Sequence, residues 1–132
     1  MITWQCKTFS ELSNEELYKI LQTRNEVFVV EQNCPYQDCD GKDLKAHHFS
    51  AWDGGELLAY TRLLAKGVSY DTGASIGRVL TSPKARGQKL GKELMQKSIE
   101  KIYDLYGQTP IIIGAQLYLK RFYESFAFVQ QG

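Results

Sequence analysis

The chain has 132 residues, 43% hydrophobic and 23% charged, which is the size of one domain and an ordinary soluble composition. Its 16 basic and 15 acidic side chains leave a formal charge of +1, without the basic excess of a nucleic-acid surface, and no apolar run approaches the roughly 20 residues that span a bilayer. There is no charged-then-apolar leader, and Cys6, Cys34 and Cys39 are odd in number and outside any metal-ligand spacing; a cytoplasmic protein with reduced thiols and no metal is expected.

Ile2, Trp4 and Cys6 alternate with polar residues and predict a first strand. Ser13 with Glu16 forms a capping-box pattern, and Leu17, Ile20, Leu21, Arg24 and Phe28 then recur at helical spacing, predicting a helix over residues 13–28. Residues 31–43 are rich in Asn, Pro, Asp and Gly and read as a long irregular loop, a place where function concentrates. Arg24 and Phe28 pack the helix against this loop, and Arg24 is placed to pair with one of its carboxylates. Alternation around His48, Ser50 and Trp52, the turn Asp53-Gly54-Gly55 and the run 57–64 predict a hairpin; a polar connection leads to a strand over residues 75–81. Leu90, Leu94, Ile99, Ile102 and Leu105 make the apolar stripe of a long helix ended by Gly107 and Pro110. The continuously apolar run 111–115 suits a central strand parallel to residues 76–81. Leu117, Leu119, Phe122, Tyr123 and Phe126 mark a short helix, and Phe128 and Val129 begin a last strand.

The junction between the strand over residues 75–81 and the long helix carries Arg86, Gly87, Gln88, Lys89, Leu90, Gly91 and Lys92. A helix opening after such a turn offers unpaired N–H groups and the positive end of its dipole to a phosphate. The spacing is not that of a P-loop, because Gly87 and Gly91 are too close and Glu93 stands where a hydroxyl is needed; nor is it the G-x-G-x-x-G dinucleotide turn. A basic turn that merely caps a helix fits these residues equally well.

The turn resembles the coenzyme A signature R/Q-x-x-G-x-G/A of the GNAT acyltransferase superfamily, with Lys89 where the first glycine is usual. The run Phe122-Tyr123-Glu124-Ser125-Phe126-Ala127-Phe128 resembles a second signature of that family, with Ala127 in place of a glycine. Residues 24–32, with Tyr36, Asp38, Asp40, Gly41, Asp43, residues 76–79 and 114–116, resemble its ElaA-like branch, in which a lysine at the position of Lys89 is common. The resemblance covers about residues 4–131 and implies an α/β mixed sheet of the GNAT fold, an antiparallel meander followed by a splayed parallel strand pair flanked by helices. Family members usually continue through a further segment that completes the last hairpin. Here the final strand is expected to be truncated, leaving a sheet one strand short, an edge filled by a neighbouring chain, or a shortened product.

What the resemblance implies is transfer of an acetyl group from acetyl-CoA to an amine, small-molecule or peptide, by a monomer or homodimer. Val79, Leu80 and Thr81 would touch the pantetheine arm; Arg86, Gly87, Gln88, Lys89, Leu90, Gly91 and Lys92 would hold the diphosphate; Gln116 would orient the arm or a water, or else cap the following helix. Tyr123 matches the tyrosine that protonates the departing thiolate, the alternative being an amphipathic core residue. Glu31, Asp38, Asp40, Asp43, His47 and His48 border the implied acceptor pocket and compete for the role of base; adjacent histidines alternate across a strand, so at most one faces it. The acidic cluster suits a cationic acceptor or is a solvated turn. Three other readings stay open: a non-catalytic acyl-CoA sensor, a phosphate-binding regulator, and an acyltransferase like the acyl-homoserine-lactone synthases, which residues 24–43 also resemble.

Overall fold

The computed structural model describes residues 1–86 and 89–113. Strand β1 (Ile2–Thr8) runs into a 3-10 turn and then helix α1 (Asn14–Arg24). Ser13 caps this helix as its spacing predicts: the Glu16 amide donates to Ser13 Oγ at 3.1 Å, and the Ser13 amide donates to Glu16 Oε1 at 2.9 Å. The same carboxylate accepts from Gln5 and Lys7 at 2.9 and 3.1 Å, which fastens the helix start to β1. Where one helix is expected to Phe28, the α geometry stops at Arg24 and a π-helical segment, Asn25–Val30, carries the chain on. The Glu31 amide there reaches back to the Glu26 carbonyl at 2.9 Å. The apolar spacing of Val27 and Phe28 fits either geometry, so periodicity alone does not reveal the wider turn.

Strands β2 (His47–Asp53) and β3 (Glu56–Leu64) form the predicted hairpin, turning at Gly54 with a φ of 63°. With β4 (Ala74–Thr81) and β5 (Ile111–Ile112) they make a sheet of order β1-β2-β3-β4-β5, antiparallel except for the β4–β5 pair. The described β4–β5 pairs join Ala74 to Ile111 and Ser75 to Ile112, at the start of β4, whereas the sequence suggested residues 76–81 as the neighbours. Gly73 makes this approach possible, because a Cβ there would overlap the Pro110 carbonyl, to which the Ala74 amide donates at 3.0 Å.

Both faces of the sheet are covered. On one face Phe49, Ala51, Leu63 and Ile76 pack under helix α2 (Leu90–Tyr106); on the other, Trp52, Leu57, Tyr60 and Leu80 pack with Ile20 and Val27. The buried stripe of α2 is Leu90, Leu94, Met95, Ser98 and Ile102. Leu105, expected on it, is exposed, because the 3.6-residue period has carried the contact face past it. Ser98 earns its buried place by a 2.7 Å hydrogen bond with Thr61. Among the described residues no helix is long and apolar enough to cross a membrane. The predicted elements at residues 117–129 and the end of the chain lie outside the described residues.

Candidate active site

Strand β4 is irregular at its middle. Tyr60 and Arg62 of β3 face Leu80 and Gly77 of β4, so two steps on one strand oppose three on the other, a β-bulge at Arg78 and Val79. Arg78 takes a φ of 50°, a left-handed conformation that few non-glycine residues adopt. Its side chain explains how the conformation is held. Nε donates to Asp38 Oδ1 at 2.8 Å, Nη2 donates to the Asp38 carbonyl at 3.0 Å and to Asp40 Oδ2 at 3.4 Å, and the guanidinium lies 5.5 Å over the Tyr36 ring.

Arg78 is one of three arginines that meet three aspartates. Arg24, fully buried at the end of α1, donates to Asp38 Oδ2 at 2.9 Å, to the Asp38 carbonyl at 3.0 Å and to both oxygens of Asp43 at 2.6 and 3.3 Å. It also sits 5.8 Å over the ring of Tyr60. Arg62, 4% exposed on β3, donates to both oxygens of Asp40 at 2.8 and 3.0 Å and to Asp43 at 3.2 Å. Burial would raise the carboxyl pKa of Asp40, but the bonds from Arg62 and the Lys42 amide and the charges of Arg62 and Arg78 outweigh it and hold the group at about 2. For Asp43 the same contest between burial and the two arginines also ends below the ordinary carboxylate range. The cluster is thus neither a solvated turn nor an open anionic patch, because each carboxylate is already matched by guanidinium.

The histidines separate as strand alternation requires. His47 bonds through Nδ1 to the Tyr106 hydroxyl at 2.9 Å on the α2 side. His48 is fully buried on the other side, its Nδ1 2.6 Å from the Tyr60 hydroxyl and its Nε2 3.0 Å from the Asp43 carbonyl. The carbonyl can only accept, so Nε2 carries the proton and Nδ1 accepts from Tyr60. Burial lowers the pKa of His48 and keeps it neutral. With both nitrogens occupied and no exposed surface, His48 cannot take a proton from a substrate. It orients Tyr60 and the loop carbonyl instead.

At the far end of β4, a 3-10 turn (Pro83–Ala85) leads to Arg86. Arg86 pairs with Glu31 at 2.6 Å, so two residues expected at opposite parts of the site, coenzyme and acceptor, are brought together. Gly87 and Gln88 lie outside the described residues, as do Gln116 and Tyr123. Lys89 stands at the N-cap of α2 with a φ of 56°, the backbone reason why a glycine is usual at this point of such a turn. Among the described residues no side chain caps the helix, so the first amides, those of Leu90, Gly91 and Lys92, lack an intrahelical partner beside three basic side chains. Leu80 and Leu90 bury their side chains in the core, Val79 packs partly against it, and Thr81 ends the strand. A coenzyme would therefore meet the backbone of these residues more than their side chains.

Between the arginine–aspartate network and the β4–β5 start lies a cavity of about 260 Å³, walled by Lys42, Arg62, Tyr70, Ser75, Gly77 and Arg78 among others. Basic turn, bulge and cavity thus follow one another along β4. Sequence reading missed the roles of Arg62 and Arg78. The signal was present: a guanidinium inside each of two otherwise apolar strands, with unmatched aspartates in the loop.

A family model described as an acetyltransferase (GNAT) domain matches residues 5–132. Protein ElaA of Escherichia coli is 46% identical over 131 residues, 98% of this chain and 85% of that protein. The crystal structure of Escherichia coli ElaA superposes with a TM-score of 0.89 over 96% of this chain and 86% of the other. That of an acyl-CoA N-acyltransferase from Pseudomonas aeruginosa, 46% identical, superposes with a TM-score of 0.91 over 98% of this chain and 87% of the other. With the fold and sequence agreeing over nearly its whole length, the chain belongs to the GNAT acetyltransferase family and is a homologue of ElaA.

Proposed function

We propose that this chain moves an acetyl group from acetyl-CoA to an amine by direct attack in a ternary complex. The observation that carries the reading is the order of features along β4: an uncapped helix start flanked by Arg86, Lys89 and Lys92, then residues 79–81, then a bulge, then a cavity. Family membership supports the use of an acyl-CoA.

The residues present fit the coenzyme. The first amides of α2, at Leu90, Gly91 and Lys92, and the ammonium groups of Lys89 and Lys92 suit a diphosphate. The peptide groups of β4 at Val79, Leu80 and Thr81 suit an amide-bearing arm. The coenzyme supplies an acyl carbon already activated as a thioester. In the proposed step the amine lone pair forms the C–N bond, the C–S bond breaks, and Tyr123 gives its phenolic proton to the leaving sulfur, while the proton lost by the nitrogen passes to solvent. Gln116 orients the arm. The exposed free thiols Cys34 and Cys39 suit the reducing cytoplasm, where the enzyme acts as monomer or homodimer on a small-molecule or peptide amine.

Calorimetry with acetyl-CoA, CoA and ATP tests the coenzyme, and thiol release across an amine panel tests transfer. Binding of both CoA forms but not ATP, with turnover on at least one amine, is the expected result. Tyr123→Phe should then lower kcat far more than coenzyme affinity; unchanged kcat removes Tyr123 from the mechanism. Acetyl-CoA binding without turnover on any amine replaces the enzyme with a sensor.

A further inference from the structure

Among the described residues, the cavity beyond the bulge is rich in charged hydrogen-bond donors and short of free carboxylates. Asp40, the carboxylate in its wall, accepts from the Lys42 amide, twice from Arg62 and once from Arg78, so its oxygens are taken. Asp38 and Asp43 stand behind the arginines and are likewise engaged. Three arginines cancel three aspartates, and the Lys42 ammonium, which forms no ion pair among the described residues, leaves the cavity with one uncompensated positive charge. Arg62, at 4% exposure, has a buried Nε–H with no hydrogen-bond partner among the described residues. That atom has no accessible surface and lies out of a ligand's reach, so the donors that count are those on the cavity wall. The Arg78 Nη1 and the Ser75 and Tyr70 hydroxyls also carry no hydrogen bond among the described residues.

A cationic acceptor, which the acidic loop suggested, would have to displace an arginine from its aspartate to find a counter-charge. An anion needs to displace nothing. A carboxylate matches what is free on the cavity wall: one oxygen for the Lys42 ammonium, the other for the Arg78 Nη1, with the Ser75 and Tyr70 hydroxyls beside them. We propose that the acceptor is an amine carrying its own carboxylate, as an amino acid does, and that Lys42 and Arg78 hold that carboxylate. The word acceptor rests on the acyl-transfer reading above; the carboxylate site does not.

The test has two arms. In the first, without coenzyme, N-acetyl amino acids and their primary amides are titrated into the labelled full chain while the arginine Nε–H resonances are followed by NMR. The carboxylates should shift the Arg78 signal saturably and the amides should not, and Lys42→Met should weaken the carboxylate by about tenfold, the worth of one charge-assisted bond. Carboxylates and amides behaving alike, no compound moving the signal, or Lys42→Met changing nothing would each overturn the proposal. In the second, thiol release from acetyl-CoA is compared for amino acids, their amides and polyamines. A kcat/KM about tenfold or more in favour of the free carboxylates is expected; equal or better use of polyamines overturns it. Should acetyl-CoA fail to bind at all, the transferase reading falls while the first arm still decides the carboxylate site.

Discussion

Removing Arg24 should be among the most costly single changes in this protein. The residue is fully buried, and four of its hydrogen bonds, at 2.6 to 3.3 Å, end on Asp38 and Asp43. In Arg24→Met the aliphatic volume is largely kept, but Asp43, whose side chain is 9% exposed, loses two of its donors and keeps only the shared Arg62 contact. Leaving a buried charge short of partners costs about 3–5 kcal/mol, against a total stability of about 5–15 kcal/mol for a domain. With a urea m-value near 2 kcal/mol per molar, the unfolding midpoint should fall by about 2 M. Lys84→Ala, which breaks an exposed 3.5 Å pair with Glu56, serves as the control and should move the midpoint by less than about 0.3 M. Arg24→Met combined with Asp38→Asn and Asp43→Asn should recover part of the loss, because the residual charge is what hurts. A midpoint for Arg24→Met within the range of the control would refute the view that this network is buried and mutually dependent.

Three further predictions concern the same strand and its neighbours. The Asp40 carboxyl lies at about 2, below its ordinary 3.8, so its contribution is complete above about pH 5 and is lost as pH falls from about 4 towards 2, a drop of about 1 kcal/mol in equilibrium unfolding, once solvent screening of this exposed residue is allowed for, that Asp40→Asn should remove. Lys89→Gly relieves a left-handed residue and should raise stability by about 0.5–1 kcal/mol while weakening acetyl-CoA about threefold to tenfold by calorimetry; a change of both in the same direction would contradict the assigned roles. Gly73→Ala drives a Cβ into the Pro110 carbonyl and should cost about 1–3 kcal/mol by chemical denaturation, with amide exchange quickening first at Ala74.

Local signals were legible where local chemistry decides the outcome. Ser13 with Glu16, the Gly54 turn and the alternation of β2 each depend on residues a few positions apart, and each is formed as the spacing predicts. Position in the sheet was harder. The sequence paired residues 111–115 with residues 76–81, but the register is fixed by Gly73 against Pro110, a contact between residues 37 positions apart that no pattern encodes. The fate of the charged loop was hidden for a similar reason. Asp38, Asp40 and Asp43 look solvated until the arginines at positions 24, 62 and 78 are folded onto them. His48 has a suitable pKa as a free imidazole, yet two fixed partners and complete burial remove it from acid–base work.

The two left-handed residues on this path, Arg78 and Lys89, lie at either end of the stretch proposed to carry the coenzyme. Each such conformation costs about 1–2 kcal/mol, so each needs a compensating contact. Arg78 has three hydrogen bonds to the loop and the Tyr36 ring beneath it. Asp38 is the joint in this arrangement: one of its oxygens accepts from Arg24 at the end of α1, the other from Arg78 in the bulge. The loop therefore does more than border a cavity. It ties the π-helical extension of α1 to the one irregular point of β4, so that a change in the loop alters the bulge, and with it the place where the proposed coenzyme track and the proposed acceptor cavity meet. Among the described residues Lys89 has no such support, and no side chain caps its helix start. The strain at that end is best compensated by an anion on the free amides, which is why the gain in stability expected for Lys89→Gly should shrink when saturating CoA is present.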